Sequence, residues 1–532
     1  MTVTEDGDMR RTATTRAKAV DRGARAALLT LLLALLMAAL AVTSLVAQED
    51  PGGRLLTLED ALDLARRNNP NFQSQRNDQG PADWQVREAY GAFLPTANAS
   101  GGFGYTEAGV QRIGTLDFGA QSTDWFSSSY RLGITWNLDG QTLFGVPNAR
   151  ASSAATAARI DAAEFNLESA VTLQYMTALR ARDGVEVARR QMDRARRNLQ
   201  LVLTRVEVGA AAGVEGKQAE VEMGRAEVAL IQAERQFRAE KLRLMEQMGV
   251  LLGEDVTLAS SFEVFEPTWT RDDLLDFALS LHPSMRAMVA QERAGKAAAR
   301  QARSQYFPSL SVNTAFSGNT LQALNEDFLV SSAESKRLDA FETCMAWRAA
   351  QSQLGVVFPV NQNCGAPVLT DETRAAILSV NNVFPFNFTK NPVSVSVGAS
   401  IPVFTGFSRQ RQIEQAEAQE KDAQHQRKAE ELRLRTAVTE GLDALQSARR
   451  VVEIEERNRT VAEERLTLAR QRYALGAAGI IELLDAETSM STAERDYLNA
   501  VYQFHQALVG LEAATGRSLR PGVERDAEEG GR

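Results

Sequence analysis

Tyr473–Met490 reads YALGAAGIIELLDAETSM, and Val206–Met223 reads VEVGAAAGVEGKQAEVEM. Each stretch ends one helical pattern, turns through small residues around Gly476 or Gly209, and opens a second helix with an acid near its start. At an offset of 267, Arg205–Gly249 and Arg472–Gly516 agree at 15 of 45 positions without a gap. The matches include Arg205, Gly209, Glu215, Met223, Gln236 and Phe237, which an Ala-rich bias does not supply. A second pair, Leu56–Pro95 and Trp269–Pro308, aligns at an offset of 213. The chain is therefore written twice. The growth of the offset by 54 places an insertion in the second copy, at about 318–390.

Each copy reads helix, Pro, helix, Pro, strand, loop, strand, long helix, small-residue turn, long helix. The strands show alternation of period two. Tyr130, Leu132, Ile134, Trp136 and Leu138 alternate with smaller or polar residues, as do Val393, Val395, Val397, Ala399 and Ile401. Strands are expected at about 95–106, 127–138, 309–317 and 392–403. Their length suits a tilted crossing of a bilayer. Long helices are expected at about 148–208, 214–249, 408–475 and 480–516. Val185, Ala188, Met192, Ala195, Leu199, Val202 and Val206 recur at spacings of three and four, a coiled-coil seam that needs a packing partner along its length. Proline is absent between Pro147 and Pro267 and between Pro402 and Pro521, which permits such helices.

Composition excludes several classes. The net charge is −9 and charged residues are 24% with signs interspersed, which argues against a nucleic-acid-binding protein held by a strongly basic surface. His282, His425 and His505 are scattered without metal-ligand spacing, and no nucleophile, zinc or phosphate-loop motif occurs. The Gly-rich stretch GGFGYTEAG reads as a strand, because no helix follows it. No cofactor, metal or catalytic residue is expected. A basic segment precedes the apolar run Ala26–Ala47, so residues 1–47 read as a signal peptide. An uncleaved anchor is the alternative. Cys344 and Cys364 both fall in the insertion of an exported chain, which favours a disulfide between them. Residues 518–532 read as a disordered tail.

Four stretches carry a resemblance: LTLEDALDLARRNNP, AYGAFLPTANASGGFGY, VGASIPVFTGFSRQRQIEQAEAQ and RYALGAAGIIELLDAETSMSTAERDYLNAVYQFHQALVGLEAATG. Taken in order, they resemble the TolC-like outer membrane efflux protein family over about 52–517. The resemblance implies an α+β membrane protein with two structural repeats, 48–267 and 268–517. It implies a homotrimer in which four strands per chain make a twelve-stranded outer-membrane β-barrel, continued by a coiled-coil helical barrel across the periplasm. The duct would be passive. An inner-membrane pump of RND, ABC or MFS type and a periplasmic adaptor (membrane fusion) protein would open it, for efflux or type I secretion. Outer-membrane lipid would surround the strands, and the insertion would be extracellular.

By the same resemblance, Glu482 and Asp485 match acids that line the narrowest point at the periplasmic tip, with Glu215 the corresponding acid of the first copy. Residues so placed are also favourable in the first turn of any helix. Tyr473 matches an aromatic that latches the closed aperture. The tips Gly209, Ala210, Ala211 and Gly476, Ala477, Ala478 match adaptor-contact turns. One departure stands out: the family's latch arginine is replaced by Ala478, and by Ala211 in the first copy. A competing reading is a periplasmic coiled-coil structural or adaptor-like protein held by its N-terminus.

Overall fold

The computed structural model describes residues 55–113, 116–121, 123–251, 253, 256–259, 262–355 and 364–520. The expected signal peptide at 1–47 and the part of the expected tail beyond Arg520 lie outside the described residues, but the tail does not start at Ser518: Leu519 is buried and its N–H donates to Glu512 at 2.8 Å. The first copy contains β1 (Leu55–Leu56), α1 (Leu58–Asn68), α2 (Pro70–Asn77), α3 (Gln79–Gly91), β2 (Thr96–Thr106), β3 (Gly109–Ile113), β4 (Leu116–Gln121), β5 (Trp125–Leu138), α4 (Gly140–Glu207), α5 (Gly213–Met248) and β6 (Thr257–Leu258). The second contains α6 (Arg271–Leu281), α7 (Pro283–Arg303), β7 (Ser309–Ala323), α8 (Glu326–Leu354), α9 (Asp371–Val380), β8 (Thr389–Lys390), β9 (Ser394–Ser400), α10 (Ser408–Ala474) and α11 (Ile480–Thr515). Strands β1 and β6 form a parallel pair in a small unit of their own. All other elements belong to the main unit.

The duplication is visible in the caps. Thr57 and Thr270 each accept a hydrogen bond from the backbone of the residue three further on, Asp60 or Asp273, and each Asp answers the cap's own N–H. Pro70 and Pro283 then open the next helix, where no N–H is needed. Asn69 donates to Gln247 O at 2.8 Å, and His282 meets Ala513 O at 2.9 Å, so the N-terminal helices of each copy fasten to its returning helix. The long helices also match: 68 and 36 residues in the first copy, 67 and 36 in the second. The longest, α4, spans about 100 Å at the standard rise per residue.

The sheet runs β2-β5-β7-β9, every neighbour antiparallel, with β8 on the same edge of β7 as β9. Its register aligns Thr96 with Thr135, Leu138 with Leu310, and Ser309 with Ser400. One face carries Leu132, Ile134, Trp136, Val312, Phe316, Val395 and Val397. The other carries Asn98, Arg131, Thr135, Ser311, Asn313 and Ser396. The helical connections leave from the end at Leu138 and Ser309. The insertion leaves from the opposite end, at Ala323.

Several boundaries differ from the sequence reading. Helix α4 begins at Gly140, ahead of the expected Asn148, because Asp139 caps it by accepting from Thr142 N at 2.7 Å. Pro147 is carried inside the helix, where Asn148 donates to Gln301 of α7 at 2.6 Å and holds the turn in place. Strand β7 runs to Ala323, past the expected Ser317, because β5 starts early enough to pair Trp125 with Ala323. Gly318 and Asn319 interrupt the apolar alternation and hid this continuation. Strand β9 is shorter than expected, Ser394–Ser400. A hairpin, β3–β4, stands where only a loop was expected. Among the described residues the insertion holds two helices, and Cys344 of α8 is disulfide-bonded to Cys364 with the Cα atoms 5.5 Å apart.

Candidate functional site at the paired helical tips

Helices α4 and α5 make one hairpin, and α10 and α11 the other. Their turns are built alike. Gly209 and Gly476 take φ of +73° and +76°, the left-handed region where a side chain costs energy. Ala210 N donates to Arg205 O at 2.7 Å, and Ala477 N donates to Arg472 O at 2.8 Å. Beneath the turns lies one apolar core shared by both hairpins: Val202 and Ala219 from the first, and Leu466, Ala469, Tyr473, Ile480, Leu483, Ala486 and Met490 from the second.

The expected site residues fall into two groups. Tyr473, 1% exposed, reaches from the second hairpin into the first and donates its hydroxyl to Glu215 at 2.9 Å. Arg205 lies over the same ring, its guanidinium carbon 4.5 Å from the centroid, and donates to Ala210 O at 3.0 Å. Burial, and then the bond to the Glu215 carboxylate, push the phenol up to about 12. Glu215 also accepts from Ala212 N at 3.4 Å, so it caps α5 while it holds Tyr473. The second group is different. Glu482 pairs with Arg472 at 2.7 Å, and Asp485 pairs with Arg465, which also donates to Ser489. Neither acid stands as a bare charge.

The arginines were missed by the sequence reading, which sought one at position 478. The signal was available: Arg205 and Arg472 occupy equivalent positions of the two copies, as do Glu215 and Glu482. Above the tips the hairpins are joined again. Arg194 of α4 binds Glu494 of α11 at 2.6 Å, both largely buried, and Tyr502 donates to Asp183. Glu487, beside Arg470 at 3.2 Å, has its carboxyl raised by burial, which Arg470 only partly offsets. Ala211, Ala477 and Ala478 fill the turns themselves. Val214, Val221, Ile481, Leu484 and Asp485 line a groove between α5 and α11 beside the turns.

Among the described residues no cluster suits a metal ion, and no helix is long and apolar enough to cross a membrane. A two-faced sheet continued by two long hairpins is the architecture of a channel subunit. The profile of the Outer membrane efflux protein family matches residues 61–250 and 369–517, and the chain belongs to that family. It is an outer-membrane efflux channel with a periplasmic helical extension, and its work is transport, not catalysis. Solved structures show the same fold. A membrane protein from Pseudomonas aeruginosa matches with a TM-score of 0.63 and 19% identity, over 87% of this chain and 90% of that one. The CmeC outer membrane channel of Campylobacter jejuni matches with 0.63 and 14%, over 89% of each chain. The open state of the MtrE outer membrane channel of Neisseria gonorrhoeae matches with 0.62 and 18%, over 87% and 89%. No curated protein matches the chain.

Proposed function

We propose that three copies of this chain close one twelve-stranded barrel in the outer membrane and continue it as a helical duct. The observation that carries this is the sheet: strands β2, β5 and β7 of 11, 14 and 15 residues with the shorter β9 beside them, and outer edges at β2 and β9 that pair with no other strand among the described residues. Open edges are not tolerated in hydrocarbon, and closure by copies satisfies every edge. Mass measurement of the detergent-extracted protein, with conductance in planar bilayers, tests it. A monomer without conductance would refute it. A periplasmic coiled-coil protein has no use for such a sheet.

The duct is passive and takes cargo from a pump of the inner membrane through an adaptor that docks on the tips. Ala210, Ala211 and Ala478 offer that adaptor a small-residue surface. Tryptophan at any of them is expected to abolish efflux without lowering trimer levels. Normal drug resistance in these variants would remove the tips from docking. Glu482 and Asp485, repeated by threefold symmetry, ring the narrowest point with their paired arginines, so selectivity depends on the balance of the pairs. Tyr473, held by Arg205 and Glu215, keeps the hairpins of one chain together in the closed state.

A further inference from the structure

The insertion clasps the far rim of the sheet on both faces. Trp125 and Phe126 are neighbours and point to opposite faces. Trp125 meets Phe328 of α8 edge-on at 6.3 Å. Phe126 stacks on Phe384 at 5.1 Å, in the segment Val383–Phe388 that leads back to the sheet. That segment lies on the apolar face. Phe103 of β2 meets Phe384 and Phe386 at 6.1 and 6.3 Å, and Tyr130 of β5 meets Phe388 at 4.8 Å.

The segment is fastened to the strands beneath it. Phe384 N donates to Gln322 Oε1 at 2.9 Å, and Asn381 exchanges two hydrogen bonds with the backbone of Ala323. Gly318 leaves the needed space: a Cβ there would stand 2.6 Å from the Tyr130 ring and 3.0 Å from Thr389 O. Under the segment lie Ser128 and Thr320, polar residues on the apolar face. They are 2% and 3% exposed and hydrogen-bonded to each other at 2.6 Å, and Ser128 also donates to Pro385 O. Turned to hydrocarbon, these hydroxyls would be costly; here the segment covers and satisfies them. The outer surface here is aromatic, with Phe386 of the segment 72% and Phe103 of the adjoining β2 68% exposed.

We propose that Val383–Phe388 is a strap seated in the outer leaflet, with Phe386 and Phe103 at the boundary between lipid acyl chains and head groups. This rests on the reading of the sheet as membrane-spanning. On the apolar face Leu132 and Phe316 are followed by Tyr130, whose ring meets Phe388 at the end of the strap, and aromatic rings favour that boundary. The strap extends the lipid-facing surface past the point where the strands turn polar.

Fluorescence quenching in phosphatidylcholine vesicles tests the strap. The lipids carry a nitroxide either near the head group or near the chain end. Phe386→Trp and Phe103→Trp are each compared with the parent, so that only the added emission is read. Each is expected to lose roughly half of it to the head-group nitroxide and clearly less to the deep one. Leu132→Trp, in the middle of β5, should be quenched most by the deep nitroxide. Leu338→Trp, on α8, should be untouched by either. If Phe386→Trp and Phe103→Trp both behave like Leu338→Trp while Leu132→Trp is quenched, the strap faces water or protein and the proposal falls. If Leu132→Trp is also untouched, the membrane reading fails and the strap with it.

Discussion

The two helical tips have the same residues at the same places and use them differently. Arg205 and Glu215 are the first-copy equivalents of Arg472 and Glu482. In the second tip the pair closes on itself at 2.7 Å across the turn. In the first tip Tyr473 enters between the partners: Arg205 lies on its ring and Glu215 accepts a hydrogen bond from its hydroxyl. Tyr473 is matched in the first copy by Val206, which has no polar end to offer in return. With Tyr473 in one copy and Val206 in the other, one tip keeps an internal ion pair and the other receives the neighbouring hairpin. The difference assigns roles: the first tip holds, and the second tip carries a self-contained charge pair to the surface.

Tyr473→Ala should break that division most. It empties the centre of the core shared by both hairpins and costs about 3–5 kcal/mol. Faster amide exchange on both tips is expected, together with a channel that leaks without its pump. Exchange confined to the second tip would show that the hairpins do not depend on each other. Tyr473→Phe keeps the ring over Arg205 and loses only the bond to a carboxylate, about 1.5–3 kcal/mol. The leak should be smaller accordingly.

The same contact sets a pH limit. The folded phenol titrates at about 12, above its ordinary value. A raised pKa means that its contribution to stability is whole below pH about 10 and is lost as pH climbs through the folded value. Ultraviolet titration of tyrosinate should show one late step that Tyr473→Phe lacks. If that step comes no later than for an exposed tyrosine, the ring is not enclosed.

The second tip is probed through its charges. Arg472→Gln with Arg465→Gln bares Glu482 and Asp485 and should raise cation selectivity several-fold. Glu482→Gln with Asp485→Asn bares the arginines and should lower or invert it. Reversal potentials of single channels in a salt gradient measure both. Arg205→Gln, in the first tip, should leave selectivity alone while loosening the closed state. Unchanged potentials in every variant would place the second tip's charges away from the conduction path.

Much of this was legible beforehand, and the reasons are physical. Repeats, long helices and strand alternation are properties of many residues at once, so the order of elements survived local noise. Asp139 was overlooked as a cap because Pro147 gave the louder boundary signal. The end of β7 was lost at Gly318, where the apolar alternation stops although the backbone pairing continues. Glu482 and Asp485 were read as acids of the narrowest point or of a helix start, and their arginine partners were not. Arg472 precedes the turn by four residues, and only the folded hairpin brings it back to Glu482. The resemblance offered Tyr473 as an aperture latch and Glu215 as an acid of the first copy, but not the hydrogen bond between them. That Arg205 covers the other side of Tyr473 depends on contact across 268 residues, which no local pattern encodes.

The smallest expected effect concerns what the tips still share. Gly209→Ala and Gly476→Ala both force a Cβ into the left-handed region, at a cost of about 1–2 kcal/mol. Nothing lies within 4 Å of a Cβ at Gly209, and one at Gly476 would meet only Arg205 Nη2 at 3.5 Å, an ordinary contact. The two substitutions should therefore cost the same, because backbone conformation alone sets the penalty. Amide exchange at Ala210 and Ala477, whose N–H groups close the two turns, reads each cost separately. A clearly larger loss at Gly476 would mean that Arg205 cannot yield without releasing Tyr473. The holding function would then extend from the first tip into the turn of the second.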